Sequence, residues 1–126
     1  EPVQINFDDA AVRGITEGDI VRVFNSRGSC LCGASISQNI MPGVLIIATG
    51  AWYDPDISGR SGLDCKHGNP NVLTPDLGTS SLAQGPAAHS CLVDIEVWND
   101  NSVQITAFDP PEILISKHDF VKGTTL

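Results

Sequence analysis

The sequence predicts a mainly β fold of short strands with one or two short helices. Three observations carry this. Stretches rich in Val and Ile alternate in side-chain character. The 12 Gly and 8 Pro residues divide only 126 residues into many turns. No heptad pattern or internal repeat runs through the chain. The length fits one domain, and 41% apolar residues can bury a modest core.

Val3-Gln4-Ile5 reads as the first strand. Asn6 or Asp8 then caps a brief helix through Ala10, Ala11 and Val12, closed by Gly14 in the left-handed conformation. Ile15 and the turn Thr16-Glu17-Gly18 lead into a strand from Asp19 to Phe24. Both faces of that strand carry apolar residues, so at least half of it should be buried. Asn25-Ser26-Arg27-Gly28 is a hairpin turn, and the return strand runs from Ser29 to about Ser37. Met41-Pro42-Gly43 is a further turn before a strand over Val44 to Thr49.

From Asp56 to Pro70 the composition shifts to Ser, Gly, Asp, Lys and Asn. The loop is longer than an ordinary connection, which favours a functional or a mobile segment. Alternation returns over Ser90 to Val97, with Cys91, Val93, Ile95 and Val97 on one side, and again over Ser102 to Phe108. After Asp109-Pro110-Pro111 comes a tail. The expected organisation is a domain over residues 1–110 and a C-terminal tail over 111–126.

Fifteen acidic residues against seven basic ones give a net charge of −8. The Lys and Arg residues are dispersed, so nucleic acid is excluded as a partner. An anionic cofactor could still be held by backbone N–H groups and neutral amides or hydroxyls. No apolar run reaches the ~18 residues of a membrane span, so membrane insertion is not expected. Cys30, Cys32, Cys65 and Cys91 have neither a zinc spacing nor a small-scaffold disulfide pattern, and read as small buried hydrophobes. No residues form a metal-ligand cluster. Ser80, His89 and Asp94 could be assembled into a triad only without the nucleophile elbow such chemistry needs.

The residues most informative about function are polar and Gly-punctuated: Asn71-Val72-Leu73-Thr74, Asp76-Leu77-Gly78-Thr79-Ser80 and Leu82-Ala83-Gln84-Gly85. Trp52-Tyr53-Asp54-Pro55 precedes them and Pro86-Ala87-Ala88-His89-Ser90 follows. They contain no nucleophile–base pair, so they suit holding a ligand more than transforming it. Together these blocks resemble the C-terminal domain of the dimethyl sulfoxide, trimethylamine N-oxide and biotin sulfoxide reductases. The resemblance runs from Glu1 to about Pro110. Asp9-Ala10-Ala11, Gly14-Ile15 and Gly18-Asp19 match the same family's double-psi β-barrel.

The resemblance implies a double-psi β-barrel that binds the dinucleotide or pterin part of a bis-molybdopterin guanine dinucleotide cofactor with molybdenum. The enzyme would be a molybdenum S-oxide or N-oxide reductase whose other domains are this domain's partners. In that family the metal's Ser ligand lies earlier in the polypeptide, so no catalytic residue is expected here and the domain alone should be inert. The chain opens at Glu1-Pro2 without an initiator Met, as expected for a piece of a longer protein lacking the barrel's first strand. The tail from Glu112 or a neighbouring molecule should then cover the exposed edge.

Asn71 is the first candidate contact. From its residues alone it is a turn Asn satisfying local backbone; the resemblance instead implies a contact to the pterin, which a planar amide suits. Ala88 and His89 stand where the family has a Gly-Gln or Ala-Gln pair touching the dinucleotide. His89 can donate through one ring nitrogen and accept through the other. Trp52 either stacks on a ring or plugs the barrel end, the latter being the commoner use of Trp. Thr79, Ser80 and Gln84 either lock their loop or reach phosphate, though no phosphate-loop Lys accompanies them. Asp54 and Asp76 read as turn initiators. The rival reading is a stand-alone double-psi barrel acting as an interaction or substrate-recognition module.

Overall fold

The structure, a computed structural model, describes residues 1–85 and 90–112. Five strands and one short helix follow the predicted order: β1 (Pro2–Asn6), α1 (Phe7–Arg13), β2 (Ile20–Phe24), β3 (Ser29–Ser37), β4 (Leu45–Ile47) and β5 (Asp94–Val97). They form one mainly β sheet in the order β4-β1-β3-β2-β5. β1 runs parallel to β3, while the pairs β1–β4, β2–β3 and β2–β5 are antiparallel. Among the described residues this sheet has two edges, β4 and β5, and does not close on itself.

The caps of α1 are those the sequence predicts. Of the two cap candidates Asn6 is the one used, and its side chain accepts the Asp8 N–H at 2.9 Å. The Asn6 amide also donates to the Ile40 carbonyl at 2.6 Å, so one buried Asn fixes both helix and loop. Gly14 closes the helix at φ 66°, and its N–H reaches the carbonyls of Ala10 and Ala11. In the next turn Asp19 accepts the Thr16 N–H at 2.8 Å, which holds its carboxyl below the ordinary range.

The core lies on one face of the sheet. Val3, Ile5, Val21, Val23 and Cys30 are fully buried there, joined by Ala10 from the helix and Ile95 from β5. Each buried Val or Ile contributes about 1.5–3 kcal/mol. The opposite face of β2 is half-buried: Arg22 lies over the Phe24 ring at 4.7 Å and pairs with Glu96, its register partner on β5, at 3.1 Å. Cys30, Cys32 and Cys65 are buried free thiols, and Cys91 is half-buried. A shared hydrogen bond with Cys32, reinforced by burial, pushes the Cys30 thiol far up, so it stays protonated.

Three predicted strands need correction. Val44–Thr49 contracts to Leu45–Ile47, where the pairing stops opposite Val3; the next residue of β1 is Pro2, which has no N–H to extend the ladder. Ser90–Val97 contracts to Asp94–Val97, because Leu92 turns its carbonyl to the Asn25 amide at 3.1 Å. Ser102–Phe108 is not a strand. The Asp54 carboxylate captures the N–H groups of Thr106 at 2.7 Å and Ala107 at 3.0 Å, leaving them unavailable to a ladder.

The long loop is anchored to the sheet. Cys65 forms a parallel bridge with Cys30, and Asp64 and Cys65 both donate backbone N–H to the Ser29 carbonyl at 3.1 Å. Since β1 pairs with β3 from Gly33 onward, Cys65 extends that line along β3 beyond the start of β1. The predicted tail lies, from residue 113 on, outside the described residues.

Candidate functional site

Two turns pack against each other to build the site. The hairpin turn 25–28 closes with the Asn25 N–H on the Gly28 carbonyl at 2.9 Å. Asn25 Oδ1 accepts the N–H of Arg27 at 2.8 Å and of Gly28 at 3.3 Å. The second turn is a short 3₁₀ helix, Pro70–Val72, capped by Asn69, whose side chain accepts the Asn71 N–H at 3.0 Å. Pro at its first position fixes the entry. The hairpin grips this turn: Asn25 Nδ2 and Arg27 Nε both donate to the Leu73 carbonyl at 2.8 Å. Leu73 is buried beneath it.

Gly28 is required where the two turns meet. A Cβ there would lie 2.6 Å from the Val72 carbonyl oxygen and 3.1 Å from Asp64 Oδ2. Asp64 in turn accepts the Ser29 N–H at 2.9 Å.

A cleft of about 350 Å³ opens at this junction, lined by Arg27, Tyr53, Asp64, Asn69, Asn71 and Val72. Asn71 is exposed, and its amide makes no hydrogen bond among the described residues. The local capping that a turn Asn would provide belongs to Asn69 instead, which also donates to the Ala51 carbonyl at 3.0 Å. Donors and acceptors of both kinds face a cleft large enough for a heterocyclic ring, so these residues fit the edge of a pterin or guanine.

The other predicted residues are placed differently. Trp52 is 68% exposed, so among the described residues it does not plug a barrel end. Tyr53 beside it, also exposed, does line the cleft. Thr79 and Ser80 both turn their hydroxyls to the Ala83 carbonyl, at 2.7 and 3.3 Å, and Ser80 Oγ accepts the Ala83 N–H at 2.9 Å. They lock their own loop. Gln84 packs its side-chain oxygen against Gly78 within the same loop. Ala88 and His89 lie outside the described residues.

Asp54 is not merely a turn initiator. It is buried, takes an ion pair from Lys66 at 3.3 Å, and accepts the Thr106 hydroxyl at 2.6 Å. Burial alone would raise its carboxyl; the Thr106 hydrogen bonds and the Lys66 ammonium outweigh it and hold the carboxyl below the ordinary value. This network ties residues 106–107 to the segment just upstream of the cleft. Sequence reasoning also missed Arg27, Tyr53, Asp64 and Asn69 as cleft residues. The Asn-Pro step at Asn69-Pro70, a turn signal, could have pointed to Asn69.

Among the described residues no group of three or more His, Cys, Asp or Glu side chains could hold a metal, and no helix is long and apolar enough to cross a membrane. Purified by itself, the chain should carry no stoichiometric molybdenum, iron or zinc. Elemental analysis giving about one tightly bound metal per chain would contradict this.

Comparison with known proteins gives this geometry a family. Residues 1–92 match the family described as "Molydopterin dinucleotide binding domain". The chain is 54% identical over 124 residues, or 98% of its length, to Trimethylamine-N-oxide reductase 1 of Escherichia coli (strain K12). It is 47% identical over 112 residues, 89% of its length, to the Dimethyl sulfoxide/trimethylamine N-oxide reductase of Cereibacter sphaeroides. It is 48% identical over 111 residues, 88% of its length, to the Trimethylamine-N-oxide reductase of Vibrio cholerae. The chain spans 15%, 14% and 13% of these relatives respectively. The chain belongs to the molydopterin dinucleotide binding domain family.

Proposed function

We propose that this domain holds the guanine dinucleotide or pterin part of a bis-molybdopterin guanine dinucleotide within a longer molybdenum enzyme that reduces S-oxides or N-oxides. The observation that carries the reading is the Asn71 amide, set by the Asn69 cap at a ring-sized cleft and engaged by no other described side chain. Three similar proteins named as trimethylamine N-oxide or dimethyl sulfoxide reductases support the parent activity. Their greater length favours a domain of a larger enzyme over a stand-alone interaction module.

The molybdenum centre, when bound, supplies the oxygen-atom transfer chemistry. The residues of this chain bind and orient. Asn71 holds a ring edge through its donor pair and acceptor. Thr79 and Ser80 lock their loop onto the Ala83 carbonyl, with Gln84 beside them, and the family resemblance adds Ala88 and His89 as contacts to the dinucleotide. Trp52, exposed beside Tyr53, offers a stacking face. The parallel β1–β3 pair among antiparallel neighbours supports a double-psi barrel completed by further chain. Residues 1–110 form the domain, as the anchoring of Thr106 and Ala107 on Asp54 supports, and 111–126 a tail. Other domains of the same polypeptide are its partners.

Asn71→Ala in the longer enzyme tests this. It should leave the thermal midpoint nearly unchanged, since the side chain is exposed, yet weaken cofactor retention. Leaving a polar ring edge unpaired costs about 1–3 kcal/mol, about tenfold or more in affinity. His89→Ala should act in the same direction and less. Full cofactor content in Asn71→Ala after extensive dilution, or unfolding of that variant, would make Asn71 a structural turn residue.

A further inference from the structure

Asn71 is not alone in its cleft, and two of the other polar groups there, Arg27 and Asp64, share one feature. Each is tethered through one atom with a functional end left over. Arg27 spends Nε on the Leu73 carbonyl at 2.8 Å, and its two terminal nitrogens make no hydrogen bond or ion pair among the described residues. Asp64 spends Oδ2 on the Ser29 N–H at 2.9 Å and the Ser29 hydroxyl at 3.4 Å; Oδ1 has no partner among the described residues. Arg27 and Asp64 line the same cleft but lie too far apart to form an ion pair. A guanidinium and a carboxylate held apart, with an amide and a phenol between the same walls, form an uncompleted hydrogen-bonding set.

We infer that Asp64 and Arg27 recognise a 2-amino-4-oxopyrimidine edge, Asp64 accepting from the ring N–H and the exocyclic amino group and Arg27 donating to the oxo group. This rests on the cofactor-binding reading above and adds two residues and a ligand edge to it. The chemistry selects that edge over a phosphate. A phosphate would meet the Asp64 carboxylate as a like charge, whereas an edge with adjacent N–H donors and a carbonyl acceptor satisfies both groups at once. Guanine and pterin share this edge, and Tyr53 supplies an aromatic face for either.

The test uses the full-length enzyme prepared free of cofactor, probed by calorimetric titration with guanosine monophosphate, inosine monophosphate and pterin. Inosine monophosphate lacks the 2-amino group. Guanosine monophosphate binding at least about tenfold tighter than inosine monophosphate, with the preference abolished by Asp64→Asn, assigns the cleft to guanine. Binding of pterin but not of either nucleotide, again weakened about tenfold by Asp64→Asn and by Arg27→Gln, assigns it to the pterin. The amide introduced by Asp64→Asn keeps an acceptor for the Ser29 N–H, so the fold should survive. A second arm uses holoenzyme. Asp64→Asn and Arg27→Gln should lose cofactor on dilution as Asn71→Ala does. If Asn71→Ala loses cofactor while these two retain it, and neither changes probe affinity, this inference falls and the Asn71 reading stands. Retention by all three overturns both.

Discussion

Asp54→Ala should lower stability by about 3 kcal/mol, because it removes a buried carboxylate that pairs with the half-buried Lys66 and leaves that ammonium without its counter-charge. At this chain length that is about 10 °C in thermal midpoint. The side chains of Asp54 and Lys66 are 5% and 13% exposed, so solvent screens the pair little. The carboxylate also holds the N–H groups of Thr106 and Ala107, which would lose their acceptor together. Asp54→Asn keeps one acceptor oxygen and should lose less. Thermal unfolding of the three proteins at neutral pH checks the order. A loss below about 1 kcal/mol in Asp54→Ala would mean that the pair behaves as an exposed one.

The same carboxylate gives the acid limb of stability its direction. Asp54 titrates below its ordinary value of 3.8 in the folded chain. Its contribution is therefore complete above the unfolded value and is lost as pH falls through the lower folded one. Asp56, held down by hydrogen bonds from Ser58 and Ser61, works in the same sense at the surface. Asp54→Asn should flatten the stability curve below about pH 4 and leave its slope near pH 7 unchanged.

Gly28→Ala should be the substitution most damaging to the site. Its methyl would sit 2.6 Å from the Val72 carbonyl oxygen, a backbone atom that cannot rotate away. Either the hairpin or the 3₁₀ turn must shift, costing about 1–3 kcal/mol. The shift separates Arg27 and Asp64 from Asn71, so cofactor retention should fall about tenfold or more as well. Gly33→Ala is the control: nothing lies within 4 Å of its added methyl, and its effect should stay within about 0.5 kcal/mol. Equal midpoints and equal cofactor content in the two variants would show that the turns do not need their close approach.

The strands and the helix were legible because their signals are local. Alternation marked β2 and β3 at close to their observed limits, and Asn6 and Gly14 marked both ends of α1. Ser102–Phe108 misled because Val103 and Ile105 alternate as in a strand while the decisive acceptor, Asp54, lies 52 residues away from Thr106. Trp52 misled because residue type favours burial, whereas exposure depends on what packs above it. In the candidate site, Asn71 was singled out through a family resemblance, and the structure places it on the cleft. Arg27 and Asp64 were not, since they reach its cleft only when the hairpin closes on the 3₁₀ turn, and no spacing in the chain encodes that approach. The sheet order has the same origin: β1 meets β3 across an intervening helix and strand.

The most direct measurement is the structure of the longer enzyme with its cofactor bound. The account predicts the Asn71 amide within hydrogen-bonding distance, about 3 Å, of a ring of the dinucleotide or pterin, with that ring seated in the cleft between Arg27, Asp64 and Tyr53. A cofactor bound elsewhere, with Asn71 facing solvent or another turn, would contradict it.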